Sequence, residues 1–134
     1  MALLTEVSVG EFLDKVSILE IKSDRIKDAD KLANVRKELN ALRKIWEASA
    51  YASRLTPSDY TRLKAINESL WDIEDRIRDK EAIGAFDADF IELARSVYIV
   101  NDNRARIKKE INQKLGSDLI EEKSYSDYTA NRPS

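Results

Sequence analysis

The chain has 134 residues, the length of one ordinary domain, with 43% hydrophobic and 36% charged residues and only three glycines and two prolines, a balance that favours long helices over a turn-rich β fold. Its 23 basic and 25 acidic residues leave a net charge of -2, so no global field draws it to nucleic acid or an anionic membrane. The absence of cysteine and histidine excludes disulfides, thiolate chemistry and the commonest metal ligand, which leaves carboxylates, Lys, Tyr or a bound ion for any catalysis.

Residues 1–6 lack a basic leader with a sustained apolar core, and no apolar run approaches the ~20 residues that span a bilayer, so a cytoplasmic protein is expected. Ser8-Val9-Gly10-Glu11 has the spacing of a capping box, in which the serine hydroxyl and the glutamate carboxylate each satisfy a free backbone N–H. A first helix is predicted from there, on Phe12, Leu13, Val16, Leu19 and Ile26. Asp28 or Asp30 caps a second helix on Leu32, Val35, Leu39, Leu42 and Trp46, and 50–55 is a connection. Thr56-Pro57-Ser58-Asp59 opens a third on Leu63, Ile66, Leu70, Ile73 and Ile77, which Gly84 ends. Asp87 or Asp89 opens a fourth, which runs through Phe90, Ala94, Val97, Ile107, Ile111 and Leu115 to Gly116.

After Gly116, Asp118 to Lys123 reads as one more short helix or turn. The expectation is an all-α chain, an antiparallel four-helix bundle over residues 1–125 followed by a polar tail, 126–134. Leu32, Leu39, Leu42, Leu63, Ile66, Leu70, Ile73, Ile77, Val97 and Ile111 are its expected core.

At 3.6 residues per turn, several charges project onto faces that should be buried. Glu20 falls between Leu13 and Val16, with Asp24 one turn on; Glu74 lies on the stripe of Leu63 and Leu70, flanked by Asn67 and Arg78. On the fourth helix the line facing its neighbours is Asn101, Arg104, Lys108 and Asn112. Buried charges need partners, so Glu20, Glu74, Asn101, Arg104 and Lys108 are expected to meet in one interior cluster.

Two readings of that cluster stand side by side. It sets helix register, with the chain a self-associating interaction module; or it is a site in which Glu20 and Glu74 hold Mg²⁺ while Arg104 and Lys108 take a phosphorylated or carboxylated small molecule. Ile18 and Ile21 on the first helix and Ile91, Tyr98 and Ile99 on the fourth add apolar residues outside the core stripes, the pattern of a homo-oligomer, a dimer first.

The stretches Glu6 to Glu11 with Asp14-Lys15, Ile18 to Lys22, Asn67 with Trp71, Asn101-Asp102 with Arg104, Lys108 and Ile111-Asn112, and Glu121 to Tyr125 resemble a small bacterial family of uncharacterised helical proteins, classed as a domain of unknown function. The likeness spans most of the first 125 residues, with 126–134 outside it. Related segments precede glycosyltransferase-like regions, which implies a protein partner in glycan assembly. It also implies that the tail packs back, with Tyr125 as its anchor.

Overall fold

The computed structural model describes residues 1–129, in which four helices and no strand occur. They are α1 (Val9–Arg25), α2 (Ala29–Ala48), α3 (Pro57–Ala82) and α4 (Ala88–Leu115). Their ends follow from local chemistry. Ser8, Asp28 and Asp87 cap α1, α2 and α4 by accepting from the N–H of Glu11, Lys31 and Phe90, and Pro57 supplies the first residue of α3. Gly84 and Gly116 take left-handed backbone conformations just past α3 and α4, where a side chain would be strained.

The shortest helix occupies the middle. The backbone of α1 lies against α2, α3 and α4, whereas α2 lies against α1 alone. Being surrounded, α1 buries two stripes: Val9, Leu13 and Val16 on one, and Gly10, Asp14, Ser17 and Ile21 on the other. One core cluster joins Val9, Leu13, Leu63, Ile107, Ile111 and Leu115; a second joins Val16, Leu19 and Leu39, and Tyr60 packs against both.

α3 and α4 pair in reverse order along their length, Asp59 with Lys114, Arg62 with Glu110, Asn67 with Arg104 and Lys80 with Asp87. α1 ends where Arg25 meets Asp72 and lies over the Trp71 ring. At ~1.5 Å per residue α1 is about 26 Å long, against about 39 Å for α3 and 42 Å for α4. The two long helices therefore continue beyond it as a hairpin, 73–97, whose tip is exposed at Ile83, Phe86 and Ile91.

Several expectations are corrected. Of the expected core, Leu39, Leu63, Leu70, Ile73 and Ile111 are buried, but Leu32, Leu42, Ile66, Ile77 and Val97 are only half-buried. α2 has one neighbour to bury against, and Ile77 and Val97 lie in or at the edge of the projecting hairpin. Ile21 is buried instead of available for an interface. No helix forms after Gly116: residues 117–127 run without regular structure, because the Ser117 hydroxyl donates to Leu119 O and accepts from Val9 N, and Glu121 is drawn toward α1. Of the expected polar tail, residues 130–134 lie outside the described residues.

Gly10 marks the closest approach in the fold. A Cβ there would sit 2.6 Å from the carbonyl oxygen of Lys108 and 3.0 Å from Asn112 Oδ1, and the first of these is backbone that cannot swing aside. Ala in place of Gly inside a helix ordinarily stabilises by up to about 1 kcal/mol. Gly10→Ala is predicted to do the opposite, lowering unfolding free energy by about 1–3 kcal/mol in urea titrations, as overpacking does.

Candidate functional site

The N-terminus of α1 is a buried helix end, so its free N–H groups need partners. They have them: Val9 N–H donates to Ser117 Oγ at 3.1 Å, Gly10 N–H to Asn112 Oδ1 at 2.6 Å, and Glu11 N–H to Ser8 Oγ at 3.0 Å. Ser8 in turn donates to Glu121 Oε1 at 2.6 Å, and the Asn112 amide reaches the same oxygen at 3.5 Å. Ser8 thus caps as the sequence suggests, but the Glu11 carboxylate does not return to close the box; it takes a hydrogen bond from Lys108 Nζ at 2.5 Å. The tail does fold back. Its anchor is Glu121 and not Tyr125, whose side chain stands in solvent at 80% exposure.

Next to this junction, α1, α3 and α4 share a closed polar network. Asn67 Nδ2 donates to Asp14 Oδ1 and to Ser17 Oγ, both at 2.8 Å, while its Oδ1 accepts from Arg104 at 3.2 Å. Lys108 lies 3.8 Å from the second Asp14 oxygen and bridges to Glu11. Lys108 meets both acids, Arg104 joins only through the Asn67 carbonyl oxygen, and both hydrogens and the oxygen of the buried Asn67 amide are used. Removing one partner of such a buried charge typically costs about 3–5 kcal/mol.

Glu20 belongs to a different group, between α1, α2 and α3. Its carboxylate oxygens lie 3.1 Å from Lys64 Nζ and 3.5 Å from Arg43. Burial is the largest single influence on this carboxyl and pushes its pKa up, but the Tyr60 hydroxyl, Lys64 and Arg43 together outweigh it and hold the group below its usual value. Tyr60 OH is buried beside it without a well-formed hydrogen bond, and burial, then the proximity and charge of Glu20, raise the phenol far above its ordinary range.

The single interior cluster expected from the sequence is therefore three separate arrangements. Arg104 reaches Asn67 on α3, Lys108 reaches Glu11 and Asp14 on α1, and Asn112 takes the Gly10 N–H at the start of α1. Glu20 pairs elsewhere, and Glu74 pairs with Arg78 one turn along α3, near the surface. Asp24 is exposed at the end of α1. Asn67, Glu74, Arg78, Asn101 and Arg104 line an open groove of about 480 Å³ beside Ile18, Leu70 and Trp71. Among the described residues no three acidic side chains are grouped closely enough to hold a metal ion, and both proposed Mg²⁺ ligands, Glu20 and Glu74, are taken up by cations.

A family model covers residues 3–134 of this arrangement, so the match reaches through the tail that the resemblance left outside. The chain belongs to a family of unknown function, DUF6165. Neither a search of curated proteins nor one of solved structures gives a match. The DUF6165 chain also buries polar residues that the sequence reading passed over: Asp14, Ser17 and Asp59, besides Tyr60 between the two core clusters. The three-residue steps Glu11, Asp14, Ser17 were the available signal for the first two.

Because the folded pKa of Glu20 is depressed, its ion pairs stabilise above the ordinary carboxylate value near 4.5 and are lost as pH falls through the folded value. Glu20→Gln is expected to lower stability at pH 7 by up to about 1 kcal/mol, the ceiling for a pair still reached by solvent. The difference from wild type should shrink progressively as pH is taken below 4.5, as read by urea midpoints across that range.

Proposed function

We propose that this protein is a self-associating helical interaction module, an antiparallel four-helix bundle whose α3–α4 hairpin packs against the same hairpin of a second copy. The observation that carries the reading is the uncovered hairpin. Two helices alone leave one apolar side open to water, and here Ile83, Phe86 and Ile91 are 77%, 60% and 57% exposed, with Ile77, Phe90 and Val97 half-buried beside them. Phe86 and Phe90 meet edge to face at 5.2 Å, which holds this apolar tip in shape.

Charge supports a second copy as the occupant. Acids gather toward the tip at Asp79, Glu81, Asp87, Asp89 and Glu92, while Arg76, Arg78 and Arg95 stand nearer the base. Lys80 is engaged with Asp87 and Asp89, so the tip stays acidic. Two hairpins laid tip to base about a two-fold axis would keep the acidic tips apart and bring Arg76 of each copy toward the other's acids, Arg78 and Arg95 being engaged with Glu74 and Glu92. No helix is long and apolar enough to cross a membrane. As part of the same proposal, the module works in a bacterial cytoplasm beside a protein partner in glycan assembly, as the sequence resemblance implies.

Light scattering is expected to give about twice the 15.4 kDa chain mass at micromolar concentration. The double substitution Ile83→Glu and Ile91→Glu should return the monomer mass with helical circular dichroism intact. A monomeric wild type, or a dimer that survives both substitutions, would overturn the reading.

A further inference from the structure

Between α4 and the returning tail lies a cleft of about 680 Å³, which meets the polar network at Arg104. That is the size of a small-molecule site. Its α4 wall is Val97, Tyr98, Asn101, Asp102 and Arg104, and its tail wall runs from Lys123 to Tyr128. The wall is held in place from both ends: Lys109 Nζ grips the Glu122 carboxylate at 2.9 Å, and the Tyr98 and Tyr128 rings meet at 5.0 Å.

The chemistry of this cleft is uneven in a way that points to a ligand. Most of the partly buried cations are paired with acids, but Arg104 has no carboxylate within ion-pair distance among the described residues, and neither has the exposed Lys123. Arg104 is half-buried and spends one donor on Asn67, leaving the rest of its guanidinium fork unused. Lys123 rests over the Tyr125 ring at 5.6 Å. Asn101, also half-buried, commits its amide to no hydrogen bond. A fork, a point charge and an amide are donors suited to three oxygens carrying close to two negative charges. Beside them stand tyrosine faces on which a ring can lie, and Asp102 as an acceptor for hydroxyl groups.

We propose that this cleft binds a phosphate monoester of a hydroxylated ring compound, with the phosphate on Arg104, Lys123 and Asn101 and the ring against Tyr98 and Tyr125. A carboxylate offers two oxygens where three donors converge, and inorganic phosphate would leave the tyrosine faces unused. Of the cleft's lining only Val97 belongs to the hairpin and none of the proposed ligand contacts does, so the site stands whether the protein is a monomer or a dimer.

Calorimetry on the full chain tests this with glucose 1-phosphate, adenosine 5′-monophosphate, inorganic phosphate and glucose as probes. At least one of the two esters should bind ten-fold or more tightly than inorganic phosphate, and glucose should give no heat; which ester wins tells a sugar phosphate from a nucleotide. Arg104→Gln also touches the Asn67 network, so the decisive variants are Lys123→Ala and Tyr125→Ala, both at exposed positions that leave the fold unchanged. Each should weaken the ester at least five-fold, and Lys123→Ala alone should reduce the salt dependence. No heat from either ester at millimolar concentration, or binding unaltered in both variants, would overturn the proposal.

Discussion

A helix that starts in the interior brings bare N–H groups with it, and the fold of this chain is built around meeting that demand at the first turn of α1. Only a residue without a Cβ lets the α1 backbone come within reach of α4, and Gly10 is that residue, its Cα facing the Lys108 carbonyl. The same approach brings Asn112 and Ser117 to the free donors of Gly10 and Val9. With α1 fixed there, Glu11 meets Lys108 within the same turn, and Asp14 and Ser17 meet Asn67 one and two turns along. The tail is tied in through Glu121 on Ser8, so chain segments 113 residues apart are joined at one point.

The polar interior then acts as an address. Hydrophobic contact among Leu13, Leu63 and Ile111 is non-directional and would tolerate sliding, whereas Asn67 can satisfy Asp14, Ser17 and Arg104 in one register only. This divides the molecule. Around α1 the structure is cross-linked by directional bonds; beyond Arg25 the α3–α4 hairpin has no such network, and Ile83, Phe86 and Ile91 face water. The division places a cross-linked body at one end and an exposed apolar surface at the other.

Much of this was legible in the sequence because caps and glycines are local signals. Ser8, Asp28, Pro57, Asp87 and Gly116 bound the four helices, and the three-and-four spacing of Leu63, Leu70 and Ile73 identified the most regular core stripe. A helical wheel gives the direction of a side chain but not which neighbour stands in that direction. Glu20 and Lys108 both point inward, yet they point at different helices and never meet. Depth was also hidden: the stripe on α2 is as regular as that on α3, but one neighbour buries little more than Leu39. The second buried stripe of α1 begins with a glycine and continues with Asp and Ser, so apolar periodicity could not show it.

Amide hydrogen exchange measures the central constraint without altering a residue. If docking of α1 onto α4 organises the structure, the amides of Val9, Gly10 and Glu11 exchange only on global unfolding, as slowly as those of Leu63 and Ile111 in the core. First-turn amides of an ordinary helix exchange readily, having no partner within the helix. Fast exchange at Gly10, with α3 and α4 still protected, would contradict the account.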